Sequence, residues 1–237
     1  MIKQWARWWT GGVIAGLAGL MAWSPGPLAS TPGSQRLAQS EPEALPQRVV
    51  MIQCVGPAER FCSRICCTSA LKNALALKRR RPNSQVVILY RDLRVYGFKE
   101  RLYTEARRQG VLFVRYTPED PPQVHRAADG ALQAVLVRDP ILQERLELHP
   151  ELLVLSMPLV PAESAAAVAQ LFKLPRDADG FFQEAHVKLR PVDFASEGLY
   201  MAGLAHYPKL LEESLVQAQA AAARAARVLC QESLPAG

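Results

Sequence analysis

Short apolar runs alternate with segments of helical periodicity between residues 48 and 116. Three apolar runs have the length of buried strands: 48–55, 86–90 and 111–116. Two segments between them carry apolar residues at helical spacing: 62–78 and 99–109, the second ending before Gly110. This alternation predicts an α/β fold, in which crossover helices cover a Rossmann-type parallel sheet.

The carboxy-terminal half continues this pattern less regularly. Residues 125–138 predict one or two antiparallel strands. Four further segments are predicted as two strands and two helices: strands at 152–156 and 199–203, helices at 162–171 and 211–229. The alanine-rich run 218–226 predicts close packing of the last helix against the sheet.

Residues 1–30 differ in composition from the rest of the chain. Lys3 and Arg7 precede an uncharged stretch at 8–23, which leads to a run of small residues, as in a secretory signal peptide. The stretch is short for a membrane-spanning helix, which needs about 20 residues. The alternatives to a signal peptide are a membrane anchor and an artefact of the assigned start site. Residues 31–47, rich in Ser, Pro, Gln and Glu, predict a flexible linker.

Composition and charge narrow the function classes. Of the 237 residues, 49% are hydrophobic and 21% are charged, so the chain can bury a core without disulfides. The net charge of +6 is modest, and much of it comes from basic residues at the ends of predicted helices. Because no aromatic stacking pattern or groove-reading motif accompanies this charge, we expect no nucleic-acid binding.

Four of the five cysteines lie within fourteen residues: Cys54, Cys62, Cys66 and Cys67. Soft thiolate ligands select iron–sulfur clusters, zinc or copper(I). Cys54 ends the first predicted strand, and the other three begin the following helix. Cys62 and Cys66 are four residues apart and share a helical face, whereas Cys67 reaches the same centre only if the first turn is distorted.

Other interpretations of these cysteines stay open at this point. Zinc sites usually contain pairs spaced C-x2-C, which this segment lacks. Disulfides would form if the chain were exported, and buried free cysteines commonly serve as small hydrophobic residues. Cys230, alone in the last helical turn, is expected to be inert.

The first strand–helix turn lacks the glycines of a dinucleotide-binding unit. Such a unit carries G-x-G-x-x-G there, because the glycines let the backbone approach a pyrophosphate. Only Gly56 is present in this turn. We therefore expect no NAD(P)H binding by this unit.

Three stretches carry a resemblance to a known family. Residues 50–56 have the sequence V-M-I-Q-C-V-G, residues 61–67 have F-C-S-R-I-C-C, and residues 197–203 have E-G-L-Y-M-A-G. Together they resemble the A-subunit of heterodisulfide reductase and related flavoproteins of quinone-interacting oxidoreductase complexes. The resemblance covers about 48–229, which is most of the chain.

The resemblance implies a thioredoxin-reductase-like fold with a three-layer parallel sheet and helices. It implies a Rossmann-like domain at 48–150 and the carboxy-terminal half of an FAD-binding-like domain at 151–237. It also implies a [4Fe–4S] cluster on four ligands: Cys54, Cys62, Cys66 and Cys67. FAD binding is implied for residues of the tail: Gly198, Gly203, Pro208, Lys209, Glu213, Ser214 and Gln217. Family members pass electrons among flavin, clusters and partner redox subunits, so we expect an electron-transfer oxidoreductase subunit or fragment.

The sequence departs from the family in two respects. Residues 1–47 contain no glycine-rich FAD loop, so we expect a truncated fold without the amino-terminal half of the FAD domain. Three outcomes for FAD stay open: the chain binds it only with a partner chain, binds it weakly, or does not bind it. The C-x-x-C-x-x-C runs of the family's ferredoxin modules are absent as well. The alternative function is a non-catalytic interaction module of this fold, stapled by zinc or disulfides.

The expected compartment follows from the thiols. Export would expose them to oxidation. We therefore expect a cytoplasmic protein, with any membrane association made through residues 8–23. Export by a signal peptide is the alternative.

Overall fold

The computed structural model describes residues 45–56 and 61–230. The signal or anchor predicted at 1–30 and nearly all of the linker predicted at 31–47 lie outside these ranges. Within them, no helix combines the length and the apolar content that crossing a membrane requires.

The described residues divide into two compact units. The first contains residues 45–56 and 61–158, and the second contains residues 159–230. The sequence predicts this division between 150 and 151. It falls later because the strand at 152–155 pairs with the first strand of the chain and so belongs to the first unit.

A four-stranded parallel sheet forms the centre of the first unit. The elements of this unit follow one another as β1 (Arg48–Ile52), α1 (Cys66–Arg80), β2 (Gln85–Tyr90), α2 (Glu100–Arg108), β3 (Leu112–Arg115), β4 (Gln123–Arg126), β5 (Leu132–Arg138), β6 (Arg145–Leu148) and β7 (Leu152–Leu155). The strand order in the parallel sheet is β3-β2-β1-β7, and every pair in it is parallel. The predicted α/β fold is therefore confirmed, with α1 and α2 as the crossover helices.

A separate antiparallel sheet lies between β3 and β7 in the chain. Its order is β4-β5-β6. The sequence predicted one or two strands in this region and missed β6. That strand has only two apolar residues, Leu146 and Leu148, which alternate with charged ones, so its signal is short and weak.

Both faces of the parallel sheet are covered. On one face, Val49 and Met51 of β1 pack with Leu71 and other buried residues of α1. On the other face, Val50 and Ile52 pack in a cluster that also contains buried residues of β5. The first unit therefore has three layers, and the third layer is the antiparallel sheet rather than a second layer of helices. Burial on both faces explains why β1 and β2 are continuous apolar runs.

The second unit contains two helices, α3 (Ala165–Phe172) and α4 (Leu211–Leu229), the second with the predicted bounds. Its buried core is small and consists of Ala165, Ala169, Leu174, Phe182, Phe194 and Met201. The strand predicted at 199–203 is wrong. Gly198 and Gly203 both have positive φ, which confines pairing here to one isolated bridge between Asp193 and Tyr200.

The close packing predicted for the alanine-rich run of α4 against the sheet stays a prediction, because the parallel sheet belongs to the first unit. The structure describes the whole of α4, and none of its side chains is buried. Leu211 and Val216 are largely exposed. The alanines at 218–226 favour helix formation, and none of them is buried.

Candidate metal centre

The carboxyl ends of β1, β2 and β3 lie at one edge of the parallel sheet, which we call the carboxyl edge. Cys54 lies two residues beyond β1, Asp92 two residues beyond β2, and Tyr116 one residue beyond β3. In α/β folds, ligands bind at this edge, because the loops that follow the strands converge there. The topology thus brings three distant parts of the sequence together.

Cys54 has an unusual backbone conformation that neighbouring strands hold in place. Its φ is 56°, in the left-handed region that non-glycine residues rarely adopt. The preceding Gln53 N–H donates to Leu89 O at 2.8 Å, which continues the ladder between β1 and β2. The Tyr116 hydroxyl donates to Gln53 O at 2.6 Å and also lies 3.5 Å from Cys54 O. The chain is therefore anchored just before the Cys54 side chain.

The helix that follows begins later than predicted. Cys66 and Cys67 are the first two residues of α1, whereas Cys62 lies in the preceding loop. Arg64 has a φ of 48°, which is incompatible with a right-handed helix. The argument that Cys62 and Cys66 share a helical face is therefore wrong, and Cys62 approaches from the loop instead.

The sulfur atoms of Cys54 and Cys67 face a common point. The Asp92 carbonyl oxygen lies 3.9 Å from Cys54 Sγ and 3.8 Å from Cys67 Sγ. The two sulfurs can therefore be no farther apart than these two distances combined. Cys62 Sγ accepts a hydrogen bond from the Arg64 N–H at 3.3 Å. The described structure thus supplies thiols from the strand end, the loop and the helix start.

Burial and mutual repulsion keep two of these thiols protonated. Burial raises the pKa of Cys67 to about 11, against the opposing effect of a hydrogen bond from the Arg94 backbone. Burial also raises the pKa of Cys66, and charge on Cys62 and Cys54 raises it further. Thiolates here need a positive partner, and a metal that displaces the thiol protons would supply it.

Positive charge is already present beside the four-cysteine site (Cys54, Cys62, Cys66 and Cys67). The Arg94 guanidinium donates to Asp92 Oδ2 at 2.8 Å. This bond is the largest cause that raises the pKa of Arg94, followed by charge on Cys62. Arg64 donates to the Tyr96 hydroxyl at 3.1 Å. A centre with net negative charge would be stabilised by these guanidinium groups and by the amino-terminal end of α1.

The donor chemistry fits a soft metal centre, because four thiols and no carboxylate or imidazole make up the site. Within the part of the chain that the structure describes, no three Cys, His, Asp or Glu side chains are drawn together as ligands of a single ion. The described cysteines are all free thiols rather than disulfides. The structure thus brings two thiols, Cys54 and Cys67, to a common point at the carboxyl edge, with Cys62 and Cys66 in the adjoining loop and helix start.

Several residues of this site were not singled out from the sequence. They are Gln53, Asp92, Arg94 and Tyr116, which contribute backbone groups, a guanidinium and a hydroxyl. Gln53 and Tyr116 lie at or near the ends of predicted strands, and Asp92 lies two residues after one. Since parallel strands end at the same edge, their position at the carboxyl ends of the predicted strands was the signal that could have identified them.

The residues implied for FAD binding lie in the second unit, around the start of α4. Gly203 begins a one-turn 3-10 helix at Gly203–Ala205, and Pro208 and Lys209, both buried, lie between that turn and α4. Gly198 lies in an exposed turn that the Phe194 N–H closes by donating to Leu199 O at 3.1 Å.

Three of the implied side chains are engaged in local hydrogen bonds. Glu213 Oε2 accepts from the Leu210 N–H at 2.7 Å, and the Ser214 hydroxyl donates to Leu210 O at 3.1 Å. Gln217 Oε1 accepts from the Gly203 N–H at 2.9 Å. These side chains therefore cap α4 and fix the turn that precedes it.

A half-buried histidine, His206, extends this network. Gln217 Nε2 lies 2.8 Å from His206 Nδ1, and His206 Nε2 lies 2.8 Å from Glu184 Oε2. These partners place the ring proton on Nε2, because an amide nitrogen can only donate to Nδ1. Burial lowers the pKa of His206, and the nearby Lys209 charge lowers it further. Sequence reasoning missed both Glu184 and His206.

The charged residues near the amino-terminal end of α4 limit which ligands could bind there. Lys209 is buried, with its ammonium nitrogen 3.1 Å from the centre of the Tyr207 ring. The first turn of α4 carries Glu212 and Glu213, which disfavour a phosphate at this helix end. The neutral ribityl or ring edge of a flavin suits this environment better than a phosphate does.

Curated relatives of the chain are A-subunits of heterodisulfide reductases. It is 38% identical over 193 residues to the A-subunit of the ferredoxin:CoB-CoM heterodisulfide reductase of Methanosarcina acetivorans, covering 79% of the chain and 24% of the relative. It is 37% identical over 205 residues to the A-subunit of the H(2):CoB-CoM heterodisulfide,ferredoxin reductase of Methanothermobacter marburgensis. This match covers 84% of the chain and 30% of the relative. It is 39% identical over 188 residues to the iron-sulfur A-subunit of the CoB–CoM heterodisulfide reductase of Methanocaldococcus jannaschii. This match covers 75% of the chain and 28% of the relative.

Solved structures confirm the fold. Thioredoxin reductase of T. acidophilum matches with a TM-score of 0.51 at 14% identity, over 77% of this chain and 51% of that chain. Thioredoxin reductase of Lactococcus lactis, in its FR conformation, matches with a TM-score of 0.50 at 20% identity over the same shares. At such low identity this likeness shows the fold alone, which is thioredoxin-reductase-like. No protein-family model matches the chain.

The chain spans about a quarter to a third of the length of the curated relatives it matches, and about half of the reductase structures. The resemblance found in the sequence is confirmed, because the three relatives match over roughly four-fifths of the chain. The chain is therefore homologous to a part of the A-subunits of heterodisulfide reductases, which are oxidoreductase subunits.

Proposed function

We propose that the chain is an electron-transfer subunit or fragment that holds one [4Fe–4S] cluster through Cys54, Cys62, Cys66 and Cys67. The cluster would accept and release single electrons. The observation that carries this proposal is that Cys54 Sγ and Cys67 Sγ, from a strand end and a helix start, both lie within 3.9 Å of Asp92 O. The relative from Methanocaldococcus jannaschii is itself an iron-sulfur subunit by name.

The chain's own residues prepare the site for such a centre. Gln53 and Tyr116 hold Cys54 at the carboxyl edge, and the left-handed backbone at Arg64 turns the loop into α1. Arg94 and the amino-terminal end of α1 offset the negative charge that four thiolates bring to a cluster. Partial burial of Cys66 and Cys67 limits the access of water and oxidants.

We further propose that FAD binds at the start of α4 in the presence of a second polypeptide. The residues concerned are Gly198, Gly203, Pro208, Lys209, Glu213, Ser214 and Gln217. The side chains of Glu213, Ser214 and Gln217 already form hydrogen bonds within the unit. Few of their hydrogen-bonding groups therefore remain to bind a flavin at this end of α4. A second chain would supply the remaining contacts.

The proposed partners of the chain are other redox subunits of a heterodisulfide-reductase-like complex, and the chain has no substrate of its own.

The iron, sulfide and flavin content of anaerobically purified protein tests this function. We expect a brown protein with about four iron and four sulfide per chain. Cys54→Ala should lose most of this iron, whereas Cys230→Ala is the matched control and should keep it, because Cys230 is an exposed thiol at the end of α4. A colourless protein with stoichiometric zinc would instead support a zinc-stapled interaction module, and a metal-free protein with disulfides would support a disulfide-stapled one.

A further inference from the structure

The side chain of Gln53 is an unusual feature beside the four-cysteine site. It is 0% exposed, and neither its Nε2 nor its Oε1 has a hydrogen-bond partner among the described residues. A buried amide without partners destabilises a folded protein, since it loses its bonds to water and gains none. Buried polar groups of this kind call for a specific explanation, and functional sites are a common one.

Strand geometry shows which way this amide faces. The Gln53 N–H still bonds to Leu89 O, so the alternation of β1 continues through residue 53. The Gln53 side chain therefore lies on the same face as Val49 and Met51, which pack against α1. It lies one step farther along the strand than Met51, towards the carboxyl edge.

The first turn of α1 covers this face at the carboxyl edge. That turn contains Cys66 and Cys67, and Cys67 Sγ reaches Asp92 O beyond the end of β2. Cys54 is the next residue after Gln53. The buried amide therefore lies on the α1-covered face at the carboxyl edge, next in sequence to Cys54 and on the side of the sheet where Cys66 and Cys67 begin α1.

We propose that the Gln53 amide donates a hydrogen bond from Nε2 to a sulfur of the metal centre and so raises its reduction potential. This inference rests on the proposed function. Reduction adds negative charge to the cluster, and a donor aimed at its sulfur stabilises the more negative state. Gln53 is therefore a positioning and tuning residue rather than a ligand.

The test is an EPR-monitored redox titration of the anaerobically purified chain and its Gln53→Met variant. Methionine has a similar volume and no amide, and the backbone bonds to Leu89 and Tyr116 do not involve the side chain. We expect Gln53→Met to keep its iron and to show a lower midpoint potential. Ser84→Ala is the matched control, because the Ser84 hydroxyl is also buried and has no hydrogen-bond partner in the described part of the chain. Ser84 precedes β2, at the opposite edge of the sheet. The Ser84→Ala variant should leave the potential unchanged.

An unchanged potential in Gln53→Met would overturn the inference. If that variant does not fold, pulsed EPR of the unmodified reduced protein decides instead, with 15N in the glutamine side-chain amides. We expect a 15N coupling to the cluster, and its absence would overturn the inference. A wild-type protein without any iron would refute the proposed function itself, so the two failures are distinguishable.

Discussion

The Tyr116 hydroxyl donates a buried 2.6 Å hydrogen bond to the carbonyl oxygen of Gln53, joining the residue after β3 to the residue after β1. This bond spans the carboxyl edge and fixes the chain immediately before Cys54. Burial raises the pKa of Tyr116 to about 12, and charge on Cys54 adds to this effect, so the hydroxyl keeps its proton and remains a donor.

Removing this hydroxyl should loosen Cys54. We expect Tyr116→Phe to lower the free energy of unfolding by about 1–2 kcal/mol, because a buried carbonyl loses its donor. It should also lower the iron retained per chain, because the left-handed backbone of Cys54 loses its support. Urea unfolding and iron analysis measure the two effects.

The control for this prediction is Tyr103→Phe, which removes a hydroxyl on α2, where the ring packs edge-on against Phe113. That variant should keep its iron. Equal iron retention in Tyr116→Phe and in the wild type would show that the hydroxyl does not position Cys54.

An ion pair holds α4 to the preceding loop of the second unit. Arg224 donates from Nη2 to Asp193 Oδ1 at 2.7 Å and from Nε at 2.9 Å, and the Asp193 carboxylate is 3% exposed. We expect Arg224→Leu to destabilise the protein clearly more than a substitution elsewhere on α4, since it leaves a buried carboxylate with weaker pairing. Thermal unfolding measures the loss. Arg227→Leu on the same helix, at an exposed position, should change stability little.

The pair of His206 and Glu184 predicts how stability depends on pH. The pKa of His206 is lowered in the folded protein, mainly by burial, so the unfolded chain takes up a proton first as the pH falls through about 6.5. The folded state therefore loses stability over the range just below that pH. The pKa of Glu184 is also lowered, by hydrogen bonds and the His206 charge acting against desolvation, so its contribution is lost only at more acidic pH.

Unfolding temperatures measured between about pH 7.5 and pH 5.5 test this sign. We expect the wild type to lose more stability over this range than His206→Gln does. His125→Gln removes an exposed imidazole on β4 and should follow the wild type. Equal pH dependence in all three proteins would rule out the titration of His206 as a cause.

The order of strands and helices was largely predictable, because burial on both faces makes β1 and β2 continuous apolar runs. The bounds of α4 were also predictable from helix-forming residues. The start of α1 was not, because the left-handed backbone at Arg64 leaves no mark in apolar spacing. The predicted strand at 199–203 failed because β-forming residues there lie between two turns rather than beside a partner strand.

The identity of the four thiols was visible in the sequence, but their surroundings were not. The carbonyl of Asp92, the hydroxyl of Tyr116 and the backbone N–H of Gln53 act across the sheet, and each is far in sequence from at least one of its partners. Such contacts depend on which strands are neighbours. The strand order β3-β2-β1-β7 becomes known only when the chain is folded.

The most direct measurement of the central claim is anomalous scattering at the iron edge from crystals grown without oxygen. The account predicts one compact iron peak at the carboxyl edge, bordered by the sulfur atoms of Cys54, Cys62, Cys66 and Cys67. A peak at the zinc edge alone, or a Cys54 sulfur directed away from the metal, would contradict it.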